Sequence, residues 1–395
     1  MIAMPPIRHI ALLVPAGGGY SRGICRGVAT YALERDDLLI FPYERAEFMR
    51  LPSWLKKGNI DGVIGFITTP DLGRQITALG VPLVDVQGEG NCPGSPVLDT
   101  DPNVVAHMAV DFFLQAGFIH LAFCGYPGLF FSDRRSDAFS AILQRRGRSP
   151  HVYQPSTKVS ASIKAQFKER RGLEYEPELA AWLAQLPKPV AILACNDSRG
   201  QQIITACRDQ GIAMPAEVCV IGVDNDDILC RLCRPTLTSI APDTEGIGQR
   251  AADMLMRLLD GEVIEPKLYY HPPLRVVERQ STDITTAEHP VVVAASRVIR
   301  DRACQGISVE QVCELSGCSR STLDSLFKKH LGRPVAGEVL RVRLNRGQRL
   351  LENTSLSVEE VGRACGFTSA TYFCRFFKRE TGVTPALYRS RVFKR

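Results

Sequence analysis

An apolar run ending at Val14 opens onto the loop Ala16-Gly-Gly-Gly-Tyr-Ser-Arg-Gly23, and a helical pattern follows it. A glycine loop between a strand and a helix can wrap backbone N–H groups around a phosphate, so two nucleotide-binding patterns are testable here. Gly18 to Gly23 has phosphate-loop spacing, but Ile24 and Cys25 stand where lysine and Ser/Thr belong. Nothing then meets the β and γ phosphates, and NTPase chemistry is not expected. Gly17 and Gly19 begin the dinucleotide fingerprint, yet Arg22 fills the third glycine position. Both readings fail on a named residue. No nucleophile elbow and no H-E-x-x-H metal helix is expected, the seven histidines being spread singly. Of thirteen cysteines only Cys230 and Cys233 form C-x-x-C, without the second pair a zinc site uses. They read as reduced thiols packing as small hydrophobes. No enzyme, metal or cofactor is expected.

The loop must be held by an α/β body. Strand candidates are His9–Val14, Gly62–Ile67, Leu83–Val86, Leu121–Cys124, Ala191–Ala194 and Cys219–Val223. Between them lie amphipathic stretches such as Gly23–Glu34, Asn103–Ala116, Ser136–Arg146, Pro177–Leu186 and Arg199–Gln210. One helix per strand gap implies parallel crossovers and a doubly wound sheet. Nearly 280 residues is long for one such sheet, so two similar lobes are expected. The whole chain, 395 residues with 45% hydrophobic and 23% charged, suits two or three globular domains. With no apolar run of membrane-spanning length, and a start unlike a signal peptide, it reads as soluble and cytoplasmic, with no membrane partner.

The stretch from Pro189 to Asp227, with Asn196-Asp197 closing one strand and Pro215–Asp224 leading into the next, resembles the second lobe of the LacI/GalR sugar-responsive regulators. Asp99-Thr-Asp101 resembles that family's entry into the second lobe, and Pro235–Ile240 its strand at a crossing between lobes. The resemblance implies a periplasmic-binding-protein-like sensor over residues 1–282, whose cleft takes a sugar. Its DNA-binding head is expected to be absent, since the first strand begins by residue 9. Where motifs line up it implies Arg135, Asn196 and Asp224 as ligand residues, with Tyr20 and Arg22 on the glycine loop beside them. A guanidinium fork suits vicinal hydroxyls, and Asn or Asp at a strand end can accept from them. The plainer reading makes Arg135 part of a solvated helix start, and Asn196 and Asp224 helix caps.

Residues 290–395 hold 19 Lys+Arg against 9 Asp+Glu, while the preceding 289 residues carry a net −4. A basic end on a near-neutral body points to nucleic acid. After Pro272-Pro273 a last strand is expected near Leu274–Glu278, then a linker at 283–290, then helices alone. Ser308 caps a helix with Val309, Val312 and Leu315 inward, and Gly317 breaks it. Ser319 caps the next, which buries Leu323, Leu326, Phe327 and Leu331. That is helix-turn-helix spacing, and it exposes Arg320, Ser321, Asp324, Ser325 and Lys328. The pattern recurs from Ser357 through Gly366. Its second helix is expected to bury Tyr372, Phe373, Phe376 and Phe377 and to expose Thr371, Arg375 and Lys378, with Thr368 and Ser369 just ahead. Pro334 to Asn353 reads as one connecting helix with proline in its first turn, roughly 30 Å long and close to one DNA turn.

From Gly366 to Arg389 the chain resembles the C-terminal signature of the AraC/XylS regulators. That resemblance implies a seven-helix double helix-turn-helix over 291–395. The two together imply a sugar-responsive transcription regulator, an activator of carbohydrate catabolism, with D-xylose or a related sugar as effector. Promoter DNA is its expected partner, as a homodimer joined through the sensors, with RNA polymerase a further one. The competing readings are the same architecture sensing another small molecule, and a body that docks a protein.

Overall fold

The computed structural model describes residues 7–15, 17–43, 51, 55, 60–88, 90–116, 118–155, 175–283, 290–331 and 333–393. The chain forms two compact units, Met1–Asp283 and Ile284–Arg395. Of the linker expected at 283–290, residues 284–289 lie outside the described residues, and Pro290 already begins a helix.

The first unit has two sheets. One contains β1 (Arg8–Leu13), β2 (Leu38–Pro42), β3 (Gly62–Gly65), β4 (Leu83–Asp85), β5 (Val97–Thr100) and β11 (Leu268–His271), in the order β11-β5-β4-β3-β1-β2, all pairs parallel. The other contains β6 (His120–Cys124), β7 (His151–Val152), β8 (Val190–Ala194), β9 (Val218–Val223), β10 (Thr238–Ala241) and β12 (Arg275–Val277), in the order β12-β10-β9-β8-β6-β7. There only β10 and β12 run antiparallel. The chain changes lobe after β5, after β10 and after β11. The two expected lobes are present, each with its own sheet. β8 and β9 are buried at every residue, the unbroken apolar pattern of strands covered on both faces.

Helices α1 (Gly19–Leu33), α2 (Pro70–Thr77) and α3 (Pro102–Gln115) precede α4 (Phe130–Arg145), α5 (Pro177–Gln185), α6 (Asp197–Asp209), α7 (Asp227–Leu232) and α8 (Thr244–Leu259). Two begin earlier than their apolar periodicity suggests, α1 at Gly19 and α4 at Phe130, because first turns are fixed by backbone and caps rather than by the buried stripe. In α4 the first turn is held by Asp133, whose carboxylate accepts from Gly128 N at 3.0 Å, and by Ser132, which accepts from Tyr126 N at 2.8 Å.

Helices α1 and α8 lie backbone to backbone. A Cβ on Gly27 would stand 2.0 Å from the Glu245 carbonyl oxygen, and one on Gly248 2.2 Å from that of Ile24. Helix propensity alone would favour alanine by about 1 kcal/mol, but a backbone atom cannot rotate away. Gly248→Ala should therefore lower sensor stability by about 2 kcal/mol net, read as a lower urea midpoint at unchanged slope. A raised midpoint would show that the contact is slack.

The second unit contains α9 (Pro290–Arg302), α10 (Val309–Leu315), α11 (Arg320–Leu331), α12 (Val335–Asn353), α13 (Val358–Ala364), α14 (Ala370–Thr381) and α15 (Pro385–Phe393), the seven expected helices among the described residues. It has two cores, one around Val312, Leu323 and Phe327, the other around Val361, Phe373 and Phe377. Helix α12 serves both. Its Arg343 donates to the carbonyls of Ala303 (2.8 Å) and Ile307 (3.2 Å) and lies over the Phe367 ring. Pro334 is its N-cap rather than a member of its first turn.

Candidate functional site

In each sheet the strand order reverses beside an early strand, β1 in the first and β6 in the second, and ligands of open α/β sheets sit at such points. The first lobe contributes Tyr20 from the first turn of α1. Its hydroxyl lies 3.3 Å from Thr100 Oγ1, its ring packs against Phe66, and burial holds its proton on far above the ordinary range. The charges acting on that hydroxyl are Asp99 from its own lobe and Arg135 and Asp224 from the other. Three expected ligand residues are thus within electrostatic reach of one another, Tyr20 in one lobe and Arg135 and Asp224 in the other.

Arg135 is 5% exposed on α4, donates to the Cys195 carbonyl and lies over the Phe131 ring. It is not a solvated helix start. Asp224 directly follows β9, with φ 108°. Asn196 is buried and is the N-cap of α6, accepting from Arg199 N at 2.9 Å. The cap is the plainer of the two roles expected of Asn196 and leaves the other open, since an amide oxygen carries a second lone pair. Arg22 reaches Asp226 at 3.6 Å across the lobes.

Three residues absent from the expected set belong here, Asp99, Arg134 and Tyr270, and a fourth, Gln87, lies just past β4 of the first lobe. Asp99 is buried, accepts from Thr100 N at 2.7 Å and lies in the fields of Arg135 and Arg134. Gln87 has a buried Oε1 with no hydrogen-bond partner. Arg134, stacked 3.9 Å over Phe130, donates to the Tyr270 hydroxyl of the other lobe. Asp99 stood in the quoted Asp-Thr-Asp motif. Gln87, Arg134 and Tyr270 left no pattern in the sequence.

Burial pushes the Asp99 carboxyl up to about 6 from 3.8, against the pull of Arg135. A carboxyl raised on folding binds its proton more tightly in the native state, so its contribution falls as pH rises through that window. Relative to Asp99→Asn, the unmodified sensor should lose stability between about pH 4 and pH 6 and hold a constant deficit above. Parallel urea-midpoint profiles for the two proteins would contradict this.

The string Gly19-Tyr-Ser21-Arg-Gly23 does spell G-x-S-x-G, contrary to the expectation that no such elbow occurs. Ser21 nevertheless lies buried within the first turn of α1 and is not among the residues of positive φ. An elbow serine sits exposed on a strained strand-to-helix turn. The match is one of letters only. All thirteen cysteines are free, nine of them buried, and burial raises thiols such as Cys207 and Cys233 to about 12.

In the second unit Ser308 with Gln311 and Ser357 with Glu360 form capping boxes at the leading helix of each helix-turn-helix. Gly317 (φ 63°) and Gly366 (φ 79°) make the turns. Arg320, Ser321, Ser325 and Lys328 are exposed on α11, and Thr368, Ser369, Thr371, Arg375 and Lys378 at or on α14. Arg320 pairs with exposed Glu310 at 2.7 Å, a contact that a phosphate could displace. Ser369 Oγ accepts from Tyr372 N at 3.3 Å as the cap of α14. Asp324 departs from expectation. It is half-buried, and its carboxylate accepts from Val335 N at 2.9 Å, which anchors the start of α12. Leu315 and Tyr372, expected inside, are 50% and 49% exposed. The α14 stripe closes on Phe373, Phe376 and Phe377, and Tyr372, one residue off it, shares the face of Arg375.

Residues 110–282 match the model of a periplasmic binding protein-like domain, and residues 312–391 that of a helix-turn-helix domain. The chain is 32% identical to the xylose operon regulatory protein of Escherichia coli (strain K12) over 401 residues, covering 97% of each. The chain belongs to the xylose operon regulatory protein family. The Haemophilus influenzae member is 29% identical, covering 96% of this chain and 97% of its own. A solved structure of the xylose-binding transcription activator xylR superposes with a TM-score of 0.60 at 30% identity, covering 99% of both chains. As a member of the xylose operon regulatory protein family, the chain is a sugar-responsive transcription regulator, not an enzyme, with a periplasmic-binding-protein-like sensor and an AraC-type helical reader. Among the described residues no helix is long and apolar enough to cross a membrane.

Proposed function

We propose that D-xylose, or a pentose close to it, is the effector, that it seats between the lobes against Tyr20, Gln87, Asp99, Arg135 and Asp224, and that the loaded chain activates sugar catabolism genes in the cytoplasm. The convergence of Asp99 and Thr100 from one lobe with Arg135 and Asp224 from the other on the Tyr20 hydroxyl carries this reading. Carboxylates accept hydroxyl protons and an arginine fork donates to ring and hydroxyl oxygens, the complement of a neutral polyol. The names of the relatives point to xylose among such ligands.

Residues 1–282 would be the sensor, 283–290 the linker and 291–395 the reader. The exposed faces of α11 and α14 would enter DNA grooves, with Arg320, Ser321, Lys328, Thr368, Ser369, Thr371, Arg375 and Lys378 at the contact. Two chains joined through their sensors would place four such helices on a promoter, gaining affinity through effective concentration, and RNA polymerase would be met there.

A thermal-shift series over D-xylose, other pentoses, hexoses and sugar phosphates tests the effector. A ligand held only by the folded sensor raises its melting temperature, and D-xylose should give the largest rise and sugar phosphates none. A larger rise with another compound would reassign the effector. No rise with any would favour a body that docks a protein.

A further inference from the structure

The loop Asp224-Asn225-Asp226 is the strained part of the sensor. Asp224 (φ 108°) and Asn225 (φ 49°) are the non-glycine residues of positive φ among the described residues. Such backbone persists only where its surroundings over-determine it, and it gathers at working sites. Here Asp224 N donates to the Ile240 carbonyl (3.1 Å) and Asn225 N to Ser239 Oγ (3.0 Å). Arg279 donates to Asn225 Oδ1 (2.8 Å), and Asp226 N to Oδ2 of buried Asp197 (2.8 Å).

Two residues are aimed by this loop. Asp224 faces the cleft, and Asp226 turns its carboxylate to both lobes at once. Oδ1 accepts from Ile228 N and Leu229 N, each 3.1 Å away, and so caps α7 of its own lobe. Oδ2 accepts from Gly19 N of the other lobe at 2.8 Å, with Arg22 3.6 Å away. Helix α1 needs that acceptor, because its N-cap is Gly18 and supplies no side-chain bond. The approach is tight: a Cβ on Gly19 would stand 3.0 Å from Asp226 Oδ2.

We propose that Asp226 is the clasp of the sensor, a positioning residue that holds the lobes together over the effector by completing the start of α1 from the opposite lobe. The proposal rests on the reading of the cleft as the effector site. Opening the lobes would strip α1 of its acceptor and part Arg22 from Asp226, while α7 would keep its own cap. A clasp that touches no ligand raises affinity by raising the population of the closed form. It also lets the glycine loop serve closure rather than phosphate.

The test uses the full chain with Asp226→Ser, since serine caps its own helix about as well as aspartate but is too short to reach Gly19, and with Asp226→Asn as a second variant that removes the charge. Hydrogen exchange on the sugar-free protein should show faster exchange over Gly19–Arg22 in Asp226→Ser, with Ile228 and Leu229 still protected. Titration with D-xylose should show affinity about tenfold weaker in both variants, the loss expected of a hydrogen bond to a charged acceptor. Unchanged exchange at Gly19 would overturn the clasp, and so would faster exchange with unaltered D-xylose affinity. If the unmodified protein failed to bind D-xylose, the effector reading would fall, and the exchange measurement would still decide the clasp.

Discussion

Replacing Arg375 with alanine should weaken binding of the full-length protein to a DNA site selected from a random pool by about 5- to 100-fold, and should leave binding to random DNA nearly unchanged. Arg375 is exposed on α14, and the helix is fixed from behind by Phe373, Phe376 and Phe377. A rigid guanidinium on such a face can read a base edge bidentately, and its loss removes discrimination rather than general attraction. Lys378→Ala should instead weaken both kinds of DNA alike and reduce the salt dependence, as a phosphate contact would. Helix content by circular dichroism should stay level in both. Arg375→Ala binding the selected site as tightly as the unmodified protein would remove α14 from the recognition surface.

The second large effect belongs to Asp224. Asp224→Asn should weaken D-xylose binding by about 100-fold and silence the sugar response, with sugar-free DNA affinity kept within about twofold, since a site built to accept hydroxyl protons loses its charge and gains a donor in place of one of its two acceptor oxygens. Asparagine is the substitution of choice because it tolerates the positive φ found there; alanine would add backbone strain to the chemical change. Loss of sugar-free DNA binding in Asp224→Asn would make the residue a determinant of folding rather than of the effector.

β1, β3, β4, β6, β8 and β9 were legible as apolar runs, since strands buried on both faces need little else, whereas β5 and β7 were not expected. β2 and β11, at the edges of the first sheet with mostly exposed or half-buried residues, were not among the expected strands, although β2 reads Leu-Leu-Ile-Phe-Pro. The reader's helices were legible almost to the residue, because serine caps and turn glycines mark their ends. Tyr372 and Leu315 were misplaced for one reason: each is apolar and lies one position beside a buried stripe, where a 100° step decides inside from outside. The site was half legible. Tyr20 lies in the first turn of α1, Asp224 directly follows β9 and Arg135 lies inside α4, and the motifs around them mark all three. Arg134 and Tyr270 become neighbours only through the crossings between lobes, which join residues 136 positions apart. Asp226 shows the same limit. Its capping of Ile228 is local and readable, whereas its bond to Gly19 spans 207 residues and exists only in the folded sensor.

Sugar held between the lobes should change how the helical reader binds DNA. The most direct measurement is affinity for the selected DNA site with and without saturating D-xylose, at fixed salt, together with D-xylose affinity with and without saturating DNA. D-xylose should tighten DNA binding by about tenfold and DNA should tighten D-xylose binding by the same factor, because coupling between two sites is reciprocal. D-xylose binding to the sensor with DNA affinity unchanged would contradict it.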